Sequence, residues 1–145
     1  KIGITQLKKL NYFISSRKKN YYYIKNSLKN LKYFNFLNLE SYKKVKSSYY
    51  CISIILKKNV NKHRFKIIKE LKNYGIGTSI HYPKIVSDYS YYKKKYKISS
   101  KKFPNASIMS YRSINLPVGP HLRKKDLIYM TSKIKEIFKK YKRYE

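Results

Sequence analysis

The sequence predicts an α+β fold: a long leading helix followed by a small, mainly antiparallel sheet covered by helices. Three observations carry this. Apolar residues recur at spacings of three and four over residues 2–31 and again over 124–141. Short β-rich runs lie between them, bounded by polar residues, glycine or proline. The order helix, strand, helix, strand, short helix, strand, helix then layers a helical face over a small sheet.

In residues 2–31 the stripe is Leu7, Leu10, Phe13, Ile14, Tyr21, Ile24, Leu28 and Leu31, and Lys8, Lys9, Lys18, Lys19, Lys25 and Lys29 mostly fall off it. One continuous helix of that length spans about 45 Å, more than a small domain, so it is expected to pack against more than this chain contains. Residues 35–46 read as a polar loop, and 49–56 as a strand. Residues 59–61 read as a turn with Asn61 as N-cap. The next helix carries Phe65, Ile68 and Leu71 on one face and ends before Gly75. In GIGTSIHY, Ile76, Thr78 and Ile80 alternate with Gly77, Ser79 and His81, a strand that Pro83 stops. A short helix is expected over 89–96, and Pro104 can open another that runs to about residue 111. Residues 114–118 are extended, broken by Pro117 and Pro120. The last helix, 124–141, carries Leu127, Met130, Ile134, Ile137 and Phe138 on one face.

The 145 residues suffice for one domain with a core. Lys and Arg number 36 against 6 Asp and Glu, a net charge of +30. Such a charge suggests a polyanionic partner. The rest of the composition argues against a specific one. The basic residues are mostly lysine, spread along the whole chain, and Ile, Asn, Tyr and Phe are abundant beside a single alanine, Ala106. That is the imprint of AT-rich codons. A basic nucleic-acid-binding module, with 18 tyrosines to stack on bases, is the alternative from another functional class. No apolar run approaches the roughly 18 to 20 residues that cross a bilayer, and no secretory signal pattern opens the chain. A cytoplasmic protein without membrane contact is expected. Cys51, the one cysteine, sits in an apolar run and reads as a small buried hydrophobe. His63 reads as exposed. His63, His81, His121 and Cys51 lack the paired spacing of a zinc site, so no metal is expected.

The strings IGITQLKKL, GIGTSIHYPK, YYKKKY, FPNASIMS and INLPVGPHL follow one another across nearly the whole chain. Together they resemble the C-terminal portion of the DegT/DnrJ/EryC1/StrS family of sugar aminotransferases. The resemblance implies the small C-terminal domain of a fold-type I enzyme: residues 1–33 as the connector helix from a large domain, residues 34–145 as the small domain, and a homodimer with sites at the subunit boundary. It also implies pyridoxal 5'-phosphate as cofactor, a nucleotide-linked keto-sugar as substrate, glutamate as the usual amino donor, and products that feed polysaccharide or lipopolysaccharide. That chemistry needs a lysine amine, an acidic partner for the pyridine nitrogen and phosphate donors. The resemblance places all of them upstream of IGITQLKKL. No catalytic residue is therefore expected in this chain, which starts at Lys1, reads as a fragment, and is expected to be inactive alone.

His81 and Tyr82 match the family segment that reaches toward the substrate cleft, and they are the substrate-binding candidates. Alternation alone leaves His81 on an exposed strand face and turns Tyr82 to the opposite side, toward the core. His121, in PVGPH, reads as structural. Two departures stand out. Tyr50 and Cys51 occupy the middle of a segment that in the family reads Tyr-His-Leu-Tyr or similar, and SDYSYYKKKY surrounds its tyrosine pair with extra lysine. Some relatives use the same cofactor for sugar dehydration, with histidine in place of the lysine. The position that separates these enzymes lies outside the chain. The intact apolar stripes argue against a decayed remnant.

Overall fold

The computed structural model describes residues 1–37 and 46–142. Its elements are α1 (Ile2–Leu7), α2 (Leu10–Leu28), β1 (Phe34–Phe36), β2 (Ile52–Leu56), α3 (Lys58–Asn61), α4 (Arg64–Asn73), α5 (Ser90–Tyr96), α6 (Pro104–Arg112), β3 (Ser113–Leu116) and α7 (Lys124–Lys139). Single 3-10 turns occupy Val86–Asp88 and Ser100–Lys102. The three strands form one antiparallel sheet in the order β1-β2-β3, with Phe34 opposite Leu56 and Ile54 opposite Ile114. Helices α2, α4 and α7 bury their apolar faces in one core with the sheet, while α6 packs on β2 and β3. The expected α+β class, with a small antiparallel sheet under helices, is what the chain adopts.

The leading stripe forms two helices, not one. The Lys9 amide donates to the Gln6 carbonyl at 3.0 Å, a three-residue spacing, before Phe13 resumes four-residue spacing on Lys9. This tightened turn interrupts the ladder. No residue of α1 is buried, and Ile2, Ile4, Leu7 and Leu10 are exposed. The stripe meets the core at Tyr21, Ile24 and Leu28. A helix draws most of its stability from packing an apolar face, and within this chain only the second half of the stripe has something to pack on.

Other boundaries also moved. Strand β1 lies where a loop was expected, because three residues are too few to display alternation. The remainder of that loop, residues 38–45, lies outside the described residues. Strand β2 starts at Ile52, three residues late, since Tyr49 has φ +49° and its amide bonds the Ser47 hydroxyl at 3.0 Å. A left-handed residue cannot begin an extended run. Asn61 is not an N-cap: it ends α3, and His63 precedes α4 with no side-chain cap bond. The buried face of α4 is Arg64, Ile67 and Leu71, whereas Phe65 is 73% exposed and Ile68 only partly buried. GIGTSIHY meets the sheet through one bridge, Ser79 to Asn115. Its partner β3 is only four residues long, and Pro117 behind it has no amide to extend a ladder.

Gly75 is where the sequence placed it. At φ +72° it follows α4, its amide donates to the Lys72 carbonyl at 2.9 Å, and the Ile76 amide donates to the Leu71 carbonyl at 2.9 Å. This is a Schellman closure. Nothing lies within 4 Å of a Cβ built at Gly75 or at Gly77. The cost of a side chain at Gly75 is therefore conformational. Gly75→Ala is expected to lower unfolding free energy by about 1–2 kcal/mol, and Gly77→Ala to stay within about 0.5 kcal/mol. Urea denaturation of the two variants reads the difference.

Candidate functional site

The bridge between Ser79 and Asn115 brings the GIGTSIHY segment to the free edge of β3. Asn115 anchors it twice. Its backbone exchanges amide bonds with Ser79 at 3.2 and 3.0 Å, and its side-chain Nδ2 donates to the Ser79 carbonyl at 3.1 Å. On the other side its Oδ1 accepts from the Ser53 hydroxyl at 2.5 Å, a residue directly opposite it on β2. Asn115 is thus a buried hub, 4% exposed, with carbonyl and amide both satisfied. Beyond the bridge, the Tyr82 carbonyl accepts from the Ser110 hydroxyl of α6 at 2.6 Å. The tip of the segment is held at both ends.

Between these ends the alternation expected from the sequence persists. Ile76 is buried, Thr78 and Ile80 are partly buried, and Gly77, Ser79 and His81 are exposed. His81 stands at the rim of an open cleft of about 460 Å³, a volume within the usual range for ligand sites. Arg17 of α2, Tyr50 and Cys51 line it, together with the turn at 117–121. That turn is fixed from below: Asn20, buried in α2, donates its Nδ2 to the carbonyls of Val118 and Gly119 at 3.2 and 3.0 Å. His121 is exposed at the cleft, and its Nδ1 lies only 2.6 Å from where a Cβ on Gly119 would stand. A side chain at 119 would push that ring aside.

Tyr82 does not join the core. It is 74% exposed, because the chain turns at the Ser110 bond and before Pro83, and the alternation ends one residue short of it. Cys51 is not the buried hydrophobe expected either. It is half-buried, with Sγ 3.5 Å from His81 Nε2 and 3.9 Å from both Ser53 Oγ and Asn115 Oδ1. Burial pushes its thiol above the ordinary range, and the hydrogen bond with Ser53 opposes that. The thiol therefore stays protonated near neutrality. His63 is partly buried, with its ring centroid 5.1 Å from that of Tyr141.

Among the described residues no three His, Cys, Asp or Glu side chains gather to hold a metal, and no helix is long and apolar enough to cross a membrane. The cleft offers cationic, hydroxyl, imidazole and amide donors. It includes neither a lysine amine nor a carboxylate among its described lining residues. Those are the groups a pyridoxal-type cofactor requires, so the cleft as built by this chain does not fit that group by itself.

Comparison with known proteins places the fold. Residues 1–135 match the profile of the DegT/DnrJ/EryC1/StrS aminotransferase family. A UDP-4-amino-4,6-dideoxy-N-acetyl-β-L-altrosamine transaminase of Campylobacter jejuni is 26% identical over 142 residues, which are 98% of this chain and 36% of that protein. An uncharacterized protein of Methanocaldococcus jannaschii is 29% identical over 139 residues, 94% of this chain and 35% of its own length. The Helicobacter pylori aminotransferase PseC, of pseudoaminic acid biosynthesis, superposes with a TM-score of 0.83 at 22% identity, covering 95% of this chain and 36% of PseC. The chain spans about a third of the length of the relatives it matches.

Proposed function

Because its first 135 residues match the family profile, the chain belongs to the DegT/DnrJ/EryC1/StrS aminotransferase family, and we infer that it is the small C-terminal domain of a pyridoxal-phosphate-dependent aminotransferase acting on a nucleotide-linked keto-sugar. The observation that carries this reading is the match of residues 1–135 to the family profile, and the open rim of donors at His81 gives the small domain a place to meet a substrate. Residues 1–33 serve as the connector and residues 34–145 as the small domain. The exposed apolar face of α1, with Ile2, Ile4 and Leu7 each more than half exposed, supports cover by a further part of the protein, since such contiguous apolar surface is seldom left in water.

In this reading the rest of the protein holds the cofactor, which supplies the electron sink for amino-group transfer. The residues of this chain bind and orient. Arg17 brings a fixed positive charge to the cleft, suited to a nucleotide diphosphate. His81 stands at the rim where a sugar oxygen can be met, with the exposed Tyr82 beside it. The setting is cytoplasmic, the assembly a homodimer, the amino donor glutamate, and the product a precursor of polysaccharide or lipopolysaccharide. The spread of lysine along the whole chain does not favour the nucleic-acid reading.

The whole protein purified with pyridoxal phosphate is expected to show a visible absorbance band that borohydride removes, and to transfer an amino group from glutamate to a nucleotide keto-sugar. A whole protein with no affinity for the cofactor refutes the reading. His81→Ala is expected to raise KM for the sugar substrate by about 10-fold, the value of one hydrogen bond at the upper end of its range, with kcat less affected. An unchanged KM removes His81 from the substrate site.

A further inference from the structure

His81 is exposed, yet its ring is bracketed. Nε2 faces Cys51 Sγ at 3.5 Å and Nδ1 faces Ser79 Oγ at 3.5 Å. The two contacts differ in strength. An oxygen hydroxyl at 3.5 Å is beyond a good hydrogen-bond length, while sulfur, being larger, bonds normally at that distance. Cys51 is itself placed by its neighbours: it precedes β2, next to the Ser53–Asn115 pair that locks β2 to β3. Asn115 in turn holds the carbonyl of Ser79. The thiol and the imidazole therefore ride on one hydrogen-bonded frame, although they lie 30 residues apart.

We propose that Cys51 is a positioning residue for His81: its S–H donates to Nε2, places the ring proton on Nδ1, and so presents Nδ1–H as the donor to a ligand oxygen in the cleft. This rests on the substrate-contact reading of His81 given above. The direction of the bond follows from the chemistry of the partners. The thiol remains protonated because burial disfavours its anion, and a protonated thiol beside a neutral imidazole donates. A neutral imidazole in water favours the proton on Nε2, so the minor tautomer needs a partner that selects it. The weak Ser79 contact is the one a ligand oxygen displaces. The other groups facing the pair bear on it in known ways. Arg17 lies over the Tyr50 ring, 5.9 Å from its centroid, and the Tyr50 ring lies 5.9 Å from that of His81. The Tyr82 ring is 6.5 Å from that of His81, and His121 lines the same cleft. Among these the charged group is Arg17, which offers donors only and so does not compete with Nε2 for the thiol proton.

The test uses the whole protein with pyridoxal phosphate bound, labelled with 15N-histidine, at a pH where the ring is neutral. The His81 signals are those lost in His81→Gln. In the parent protein the His81 nitrogen shifts are expected to report the proton on Nδ1. Cys51→Ala is expected to move them toward the Nε2–H tautomer and to raise KM for the sugar substrate about 10-fold, with kcat changed less than about 2-fold. Cys51→Ser, which keeps a donor, is expected to restore the tautomer and most of KM, and it serves if the alanine variant folds poorly. Unaltered His81 nitrogen shifts in Cys51→Ala, or an Nε2–H ring in the parent protein, overturn the proposal whatever KM does. A retained tautomer switch with an unchanged KM in His81→Gln instead overturns the substrate reading of His81.

Discussion

Phe138→Ala is expected to destabilise the domain by about 3–5 kcal/mol, the range for removing a buried aromatic ring and leaving its cavity. Phe138 is fully buried on α7. Its ring stacks on Tyr33 with centroids 5.4 Å apart and meets Phe34 edge-on at 5.0 Å, with Tyr141 at 6.4 Å. It thereby joins the last helix to the first strand, two elements far apart in the sequence. These rings are stiff and cannot fold into the vacated volume, so relaxation recovers little. A net stability of about 5–15 kcal/mol would lose a large share. Hydrogen exchange of the β2 amides in the whole protein reads the loss locally. Phe65→Ala is the matched control, since Phe65 is 73% exposed, and its expected effect is within about 0.5 kcal/mol. A cost below about 1 kcal/mol for Phe138→Ala would mean that the α7–β1 contact does not hold the core.

The contrast between these two phenylalanines shows how much the sequence could say. The stripe of α7 was legible in full: Leu127, Met130, Ile134, Ile137 and Phe138 are all buried. Asp126, three residues past the N-cap, accepts from the Arg123 amide at 2.8 Å and fixes the start of the helix. A long stripe repeats its signal over several turns. Helix α4 is short enough to carry two overlapping stripes, Phe65–Ile68 and Arg64–Ile67, both reaching Leu71, and hydrophobicity alone selects the wrong one. Within the site, alternation placed His81 correctly because Ser79 is still paired with Asn115. It failed at Tyr82, where α6 captures the carbonyl and the chain turns. The Cys51–His81 and Ser53–Asn115 pairs were not legible. Each joins residues on different elements, and nothing local in either partner announces the other.

Arg64 marks the point where the hydrophobic pattern and the structure part, and Arg64→Ala is expected to cost about 3 kcal/mol. Arg64 is the first residue of α4 and only 5% exposed. Its Nε and Nη2 both donate to the Ser113 carbonyl at the start of β3, at 3.0 and 2.6 Å. Burial disfavours the charged guanidinium, so the charge persists there because it is hydrogen-bonded, and because an arginine is not deprotonated near neutrality. Bonds to a charged donor are worth about 1.5–3 kcal/mol, and the aliphatic stem of Arg64 adds packing between α4 and the sheet that alanine also loses. Arg64→Lys keeps the charge but offers one point donor in place of the fork, and an intermediate loss of about 1–2 kcal/mol is expected. Arg64→Met, which restores the stem without either donor, separates the two contributions. If the cost is mainly the paired donors, methionine falls near alanine and lysine falls above both. If it is mainly packing, methionine recovers most of the stability, and the bond from α4 to β3 is then not what places the strand on which Asn115, and with it His81, depends.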